Sequence, residues 1–504
     1  MAFFLRRCRA QGTGREEASW GIGGGFREPW VSQECHRLAR SAARADFFVA
    51  AGRQIRFVGA VTTTSDMIDH LRAVSAGLPD PRTGRRSYSL SDIVMSAFAP
   101  FYMQDGSFLA FQRKLEEAQN RSNCQTLFGI ARIPTDNHIR AILDEIDPAG
   151  LEPVFMDTVG RLEAAGALTK FQALDERLMV AFDGTQYFNS TKIHCPHCLS
   201  KVHNRGKDDE WTEYYHTAMC ATLVGQGHNL AVPLMPEFIA NDEPGAGNGR
   251  SPNKQDCEIN ATKRWLAKHG ETLARYRPIA LADALSACQP MLQAFSEHGW
   301  SYIVTALPSD LKTLYDFIEG GELDTLAETK IVGRRKPIKE QHAYRWIEAV
   351  PIKNGKDALT VNWIEHTVRR PGKKPVVYAV VTDLPVKSGQ QAKAIIAAGR
   401  SRWRVENEGF NVLKNRGYEL EHNWGHGDNF CAMMLACLNL IALAFHTAAD
   451  LLCARWRAAR TKLAVRVNFF NHMRVLTARF IFPSWTHLLD CLADSKRPLP
   501  LNSS

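Results

Sequence analysis

From about residue 88 the apolar positions recur at helical spacing: SLSDIVMSAFAPFYM, then FLAFQRKLEEAQNR, then IPTDNHIRAILDEI opened by a proline, with Ser or Thr caps ahead of acidic residues. This predicts a small helical domain reaching about residue 166. The period changes at Leu178, where the apolar run Leu178 to Phe182 ends at Asp183 and Gly184, a buried strand stopping at a carboxylate. Residues 212–224 and 228–235 read as two further strands, 256–270 as a helix, and 278–283 as a fourth strand that again closes on a carboxylate, Asp283. One more helix and strand follow, so the order is three strands, helix, strand, helix, strand.

Between about 310 and 386 the pattern turns β-rich and basic, which predicts an inserted sheet domain, and helical spacing returns at about 389 and continues past Lys414. The apolar stretch Phe430 to Phe445 is short for a bilayer, contains Asn439 and is followed closely by His446 and Asp450, so a buried helix is expected and no membrane partner. Residues 1–62 show no sustained period and Met67 begins the first clean segment, so the upstream part reads as a basic arm or as sequence ahead of the true start. The expected organisation is therefore a low-order basic extension over 1–62, a helical domain over 63–170, and an α/β core over 171–309 resumed over 387–455. The β-rich insertion takes 310–386 and a basic tail 456–504. No internal repeat is visible.

Composition narrows the class. The chain has 504 residues, enough for about three domains. Its 45% apolar and 23% charged residues exclude bulk disorder, collagen and coiled-coil classes. Lys plus Arg number 62 against 53 Asp plus Glu, a net charge of +9 that favours polyanionic partners. Twelve scattered cysteines with no secretory leader ahead of them fit a reducing cytoplasm better than a disulfide scaffold, and the expected location is cytoplasmic.

Asp183 and Asp283 each fall at the carboxyl end of a predicted buried strand, where open α/β sheets place their sites. Adjacent strands would set them side by side, and two such carboxylates repel unless hard cations such as Mg²⁺ or Mn²⁺ screen them. Further on, in SRWRVENEGFNVLKNRGYELEHNWGHG (401–427), helical spacing places Arg402, Glu406 and Phe410 on one face. With FDGT at 182–185, LAD at 281–283, and RWRVE at 402–406 followed by Phe410 and Lys414, the chain resembles the DDE transposases of bacterial insertion sequences. The resembling group is the cut-and-paste one with an RNase H-like core and a YREK-type signature. The resemblance spans roughly residues 88–450 and includes a β-rich insertion before the last acid.

The resemblance implies an α/β fold with an RNase H-like catalytic core over 171–309 and 387–455, a β-rich insertion domain, and an N-terminal helical domain over 63–170 that binds DNA ends. It implies Asp183, Asp283 and Glu406 as a triad holding Mg²⁺ or Mn²⁺ for two-metal phosphoryl transfer. Arg402 and Lys414 would contact DNA phosphates. The partners implied are double-stranded DNA, the terminal inverted repeats of an element, and a second copy of the chain on paired ends. Two departures stand out. The family's Tyr falls on Gly399, and Lys414 lies eight residues after Glu406 instead of seven, which turns it by about 80° unless a π-bulge absorbs the extra residue.

Other groups carry expectations of their own. In KIHCPHCLSKVH, His194, Cys195, His197 and Cys198 form half of a zinc site, with Cys195 and Cys198 as candidate Zn²⁺ ligands and Cys220, His203 or His216 as completing ones. Two basic clusters, Arg334, Arg335 and Lys336, and Arg369, Arg370, Lys373 and Lys374, could line a DNA path. Trp424 could stack on an unpaired base. Asp256 and Glu258, at the acidic start of a helix, read as structural. The competing readings are a non-catalytic DNA-binding descendant of a transposase, a zinc-organised interaction module, and a general RNase H-like nuclease.

Overall fold

A computed structural model describes residues 63–84, 86–106, 118–241, 256–333, 337–494 and 499–500. The expectation for residues 1–62, most of the helix expected over FLAFQRKLEEAQNR (108–117 of it) and the cluster Arg334, Arg335 and Lys336 lie outside the described residues. The protein is a mixed α/β structure built on one twelve-stranded sheet. Its strands are β1 (Gln172–Ala173), β2 (Arg177–Ser190), β3 (Leu199–His203), β4 (Trp211–Val224), β5 (Ala231–Pro233) and β6 (Glu237–Ile239). After them come β7 (Ile279–Ala282), β8 (Ser301–Thr305), β9 (Asp324–Val332), β10 (Ile338–Pro351), β11 (Thr360–Arg369) and β12 (Val376–Thr382).

The spatial order is β3-β4-β2-β7-β8-β12-β11-β10-β9, with β1 on β2 and with β5 and β6 on β4. β2, β7 and β8 are mutually parallel, and every other pairing is antiparallel. The β-rich segment therefore extends the core sheet: β12 pairs with β8 through Val380–Thr305, Val381–Val304 and Thr382–Ile303.

Alternate residues of the central strands bury on opposite faces, as the pleat requires. Met179, Ala181, Ile279, Leu281 and Ile303 meet one helical layer, while Val180, Phe182, Ala280, Ala282, Tyr302 and Val304 meet another that contains Trp265, Leu292 and Phe295. Both faces are covered, which explains why these strands read as continuous apolar runs.

The first layer contains helices Leu90–Met103 and Cys431–Leu452. The second of these is long and apolar enough to cross a membrane, yet its apolar window is fully buried within the protein. Asn439 Nδ2 donates to Tyr418 O at 2.8 Å, while its buried Oδ1 has no hydrogen-bond partner among the described residues. Helices Ala454–Lys462, Arg466–Arg479 and Trp485–Ala493 bury Trp456, Phe469 and Trp485 in the same layer, so residues expected as a basic tail are packed structure. The first helix, Thr64–Ala76, starts before Met67. Thr63 and Asp66 form a capping box that satisfies the exposed amides of its first turn.

Candidate functional site

β2 does not stop at Asp183. It runs on to Ser190 because residues past Asp183 keep their antiparallel partner β4, with Asp183 opposite Cys220, after the parallel partner β7 has ended. The parallel register Met179–Ile279, Val180–Ala280 and Ala181–Leu281, continued by two residues, sets Asp183 against Asp283. Adjacent strands lie about 4.8 Å apart, so the two carboxylates leave the sheet as neighbours on one face. Asp283 also caps the short turn Ala284–Ser286, accepting the Leu285 N–H at 3.1 Å.

The third acid arrives from the segment after helix Gly389–Gly399. A short 3₁₀ turn, Arg400–Arg402, leads into a π-helical turn, Val405–Phe410, and then a single α turn, Asn411–Asn415. Arg402 bridges the acids, with Nη1 3.2 Å from Asp183 Oδ2 and Nη2 2.9 Å from Glu406 Oε1. Glu406 is 51% exposed while Asp183 is 17% exposed, so one carboxylate faces the opening and the other its floor.

Burial pushes the Asp183 carboxyl up to about 7; Arg402 opposes this, while Glu406, Asp283 and Glu258 add to it. Burial also raises Glu258, with Asp283 contributing. Glu258, expected to be structural, thus stands in the acidic group, at the start of helix Glu258–Ala274. Gly184 makes this approach feasible, since a Cβ there would overlap Glu258 Oε1. Asp256 does have a structural role, pairing with Arg264 at 2.7 Å.

The π turn accounts for the long spacing to Lys414. Asn411 N–H bonds to Glu406 O, an i to i+5 contact that accommodates one residue more than an α turn. Lys414 pairs with Glu421 at 2.7 Å, and its charge reaches Cys220, the cross-strand partner of Asp183. The missing tyrosine also has a physical reason: a Cβ on Gly399 would lie 2.8 Å from Ile303 Cγ2 and 3.0 Å from Tyr378 Oη, so no side chain fits where this helix abuts the sheet.

Trp424 lies in the core and is not placed to stack on a base. It is 4% exposed, packs edge-on against Phe101 at 4.8 Å and donates Nε1–H to Glu419 O, which leaves no face for a base. The exposed indole of this region is Trp403, 46% exposed and next to Arg402. The helix expected through residue 427 ends at Asn415, because Gly417 takes φ 95° and turns the chain into a loop.

Comparisons with known proteins add little. No protein-family model and no curated protein matches the chain. Among solved structures, the chain is similar to piggyBac transposase in a synaptic complex with hairpin DNA, with 9% identity and a TM-score of 0.36, over 87% of this chain and 83% of that one. So slight a likeness assigns neither fold nor reaction.

A second cluster lies along the β2–β4 hairpin. Cys195, Cys198, His216 and His426 bring one ligand atom each to within 4.8 Å of the others. Of the completing ligands expected from sequence, His216 is present, while Cys220 lies opposite Asp183 and His203 pairs with Glu213 and stacks on Trp211. His426, from the loop after the Glu406 segment, was not signalled by any local spacing.

Proposed function

We propose that the chain is a DNA transposase of the DDE type, with Asp183, Asp283 and Glu406 as its acids on an RNase H-like core. The observation that carries this reading is the parallel β2–β7 register, whose last pair, Ala181–Leu281, stands two residues before Asp183 and Asp283, together with the Arg402 bridge from Asp183 to Glu406. The core strands support it further: β2 with antiparallel β4, then parallel β7 and β8 reached through helices, is the order expected of that core.

The donor set suits hard divalent cations. Its ligands are carboxylate oxygens alone, and Asp183 and Glu258 are raised by burial first and by neighbouring carboxylates second, a desolvated acidic group whose charge a cation would balance. When bound, Mg²⁺ or Mn²⁺ at Asp183, Asp283 and Glu406 supplies Lewis-acid polarisation of the scissile phosphate and a nucleophile at neutral pH. The chain's own groups do the rest. Arg402 holds Glu406 over Asp183 and offers a guanidinium to a phosphate oxygen. Lys414 adds positive charge beside β4, and Trp403 offers an exposed ring for an unpaired base. Exposed Arg369, Lys373 and Lys374 at the β11–β12 turn supply phosphate contacts for duplex DNA. Binding to the inverted repeats of an insertion sequence, as a pair of copies, completes the reading.

The test is a Mg²⁺-dependent cleavage assay on DNA carrying the repeats that flank the gene. Glu406→Gln abolishes cleavage and leaves DNA binding intact, whereas Glu408→Gln retains most activity. Two active variants would remove Glu406 from the reaction.

A further inference from the structure

We propose that Cys195, Cys198, His216 and His426 hold one structural zinc ion that fastens the loop following the Glu406 segment to the β2–β4 hairpin. The argument is metric. With Zn–S of about 2.3 Å and Zn–N of about 2.0 to 2.1 Å, a regular tetrahedron has edges of about 3.8 Å for S···S, about 3.6 Å for S···N and about 3.3 Å for N···N. The protein shows 3.9 Å between the two sulfurs and 3.1 Å between the two Nε2 atoms. Sulfur to nitrogen distances are 3.5 Å for Cys195–His216, 3.3 Å for Cys198–His216 and 3.3 Å for Cys198–His426.

Hydrogen bonding among the four groups does not explain this convergence. Each imidazole Nε2 has one lone pair or one proton to direct, yet His216 Nε2 faces both sulfurs and the other ring. One cation at the centre serves all these contacts together. His216 is 2% exposed and its Nδ1 has no protein partner, so its polar contacts run through Nε2 into the cluster. Tyr187 stacks on the His216 ring and Phe188 lies 4.4 Å from the His426 ring, which sets both orientations. Asn241 Nδ2 donates to Cys198 O at 2.9 Å, pinning the turn that carries the thiols. Four protein ligands of type S₂N₂ close the coordination shell, the mark of a structural zinc rather than a catalytic one.

The ion's place in the fold gives it a task. His426 sits in a loop held on its other side by Arg140, whose Nε donates to Trp424 O, and by Asp144, which accepts the N–H groups of Asp428, Asn429 and Cys431. A zinc ion supplies the remaining tie, from this loop to the strands that carry Asp183.

The full chain, purified without chelator under reducing conditions, carries about one zinc per chain. Cys195→Ser with Cys198→Ser, and separately His426→Ala, abolish that stoichiometric zinc, while His426→Cys retains it. Chelation of the wild-type protein raises hydrogen exchange in residues 416–430, a readout that does not depend on how the variants fold. Absent zinc, zinc that persists in the double variant, a Cys195–Cys198 disulfide in the native protein, bound iron instead, or unchanged exchange after chelation would each overturn the proposal. None of these measurements uses DNA or cleavage, so they stand or fall apart from the transposase reading.

Discussion

Asp183 is held as an acid at a cost to folding. Burial pushes its carboxyl up to about 7 in the folded chain against an ordinary 3.8, so between those values the folded state keeps a proton that the unfolded state has released. Stability therefore falls as pH rises from about 4 to about 7, and the loss persists above that window. The upper bound is on the order of 4 kcal/mol, from about 1.36 kcal/mol for each pH unit between the two values. With divalent cations chelated, Asp183→Asn should raise Tm by several degrees at pH 8 and leave it unchanged near pH 4; a variant that melts lower at pH 8 would refute the account. Asp183 and Asp283 were legible in the sequence because each follows a local apolar run. Glu258 and His426 were not, because each reaches its cluster across tertiary contacts: Glu258 through the space left by Gly184, His426 through a loop anchored at Asp144.

At the scale of elements, helical periodicity located helices Leu90–Met103 and Asp136–Leu143 but did not reveal their partners. Leu90–Met103 is buried along nearly its whole length, and Phe98 packs edge-on to Phe445 of helix Cys431–Leu452 at 5.8 Å. A helix so enclosed offers little surface to DNA and serves as core. Phe98→Ala should cost about 3 to 5 kcal/mol, seen as a lowered midpoint in urea, and excision of residues 63–164 should yield insoluble protein rather than a folded catalytic core. A soluble, cooperatively melting remnant would contradict this. The π turn was foreseeable as one of two answers to the extra residue before Lys414, and only tertiary packing chose between them. β2 runs past the end its apolar run predicts for a related reason: a strand that loses one neighbour continues on the other, and the sequence marks only the change in burial.

Across the whole molecule the net charge is +9, and the described basic cluster of the β-rich segment lies at the β11–β12 turn. Arg370 there is tied to Glu340 at 2.5 Å, leaving Arg369, Lys373 and Lys374 as the exposed cations of that turn with no ion pair among the described residues. If these meet duplex phosphates, changing all three to Ala should flatten the slope of log affinity against log salt by about 3 units, near 0.9 for each contact. A salt slope equal to that of the unaltered chain would exclude the turn from the DNA path.

The joint core of the outer helices has a kinetic corollary. Leu90–Met103 is made early, but the helix that covers it, Cys431–Leu452, is encoded far downstream. At synthesis rates of about 5 to 20 residues per second, the intervening stretch of about 330 residues takes roughly 15 to 65 s to emerge. During that interval the nascent chain carries an apolar surface with no native cover, and so depends on holding factors or on transient burial against its own unfinished sheet. Ribosome-bound chains halted before residue 431 should therefore capture chaperones, and chains halted well beyond residue 452 should release them.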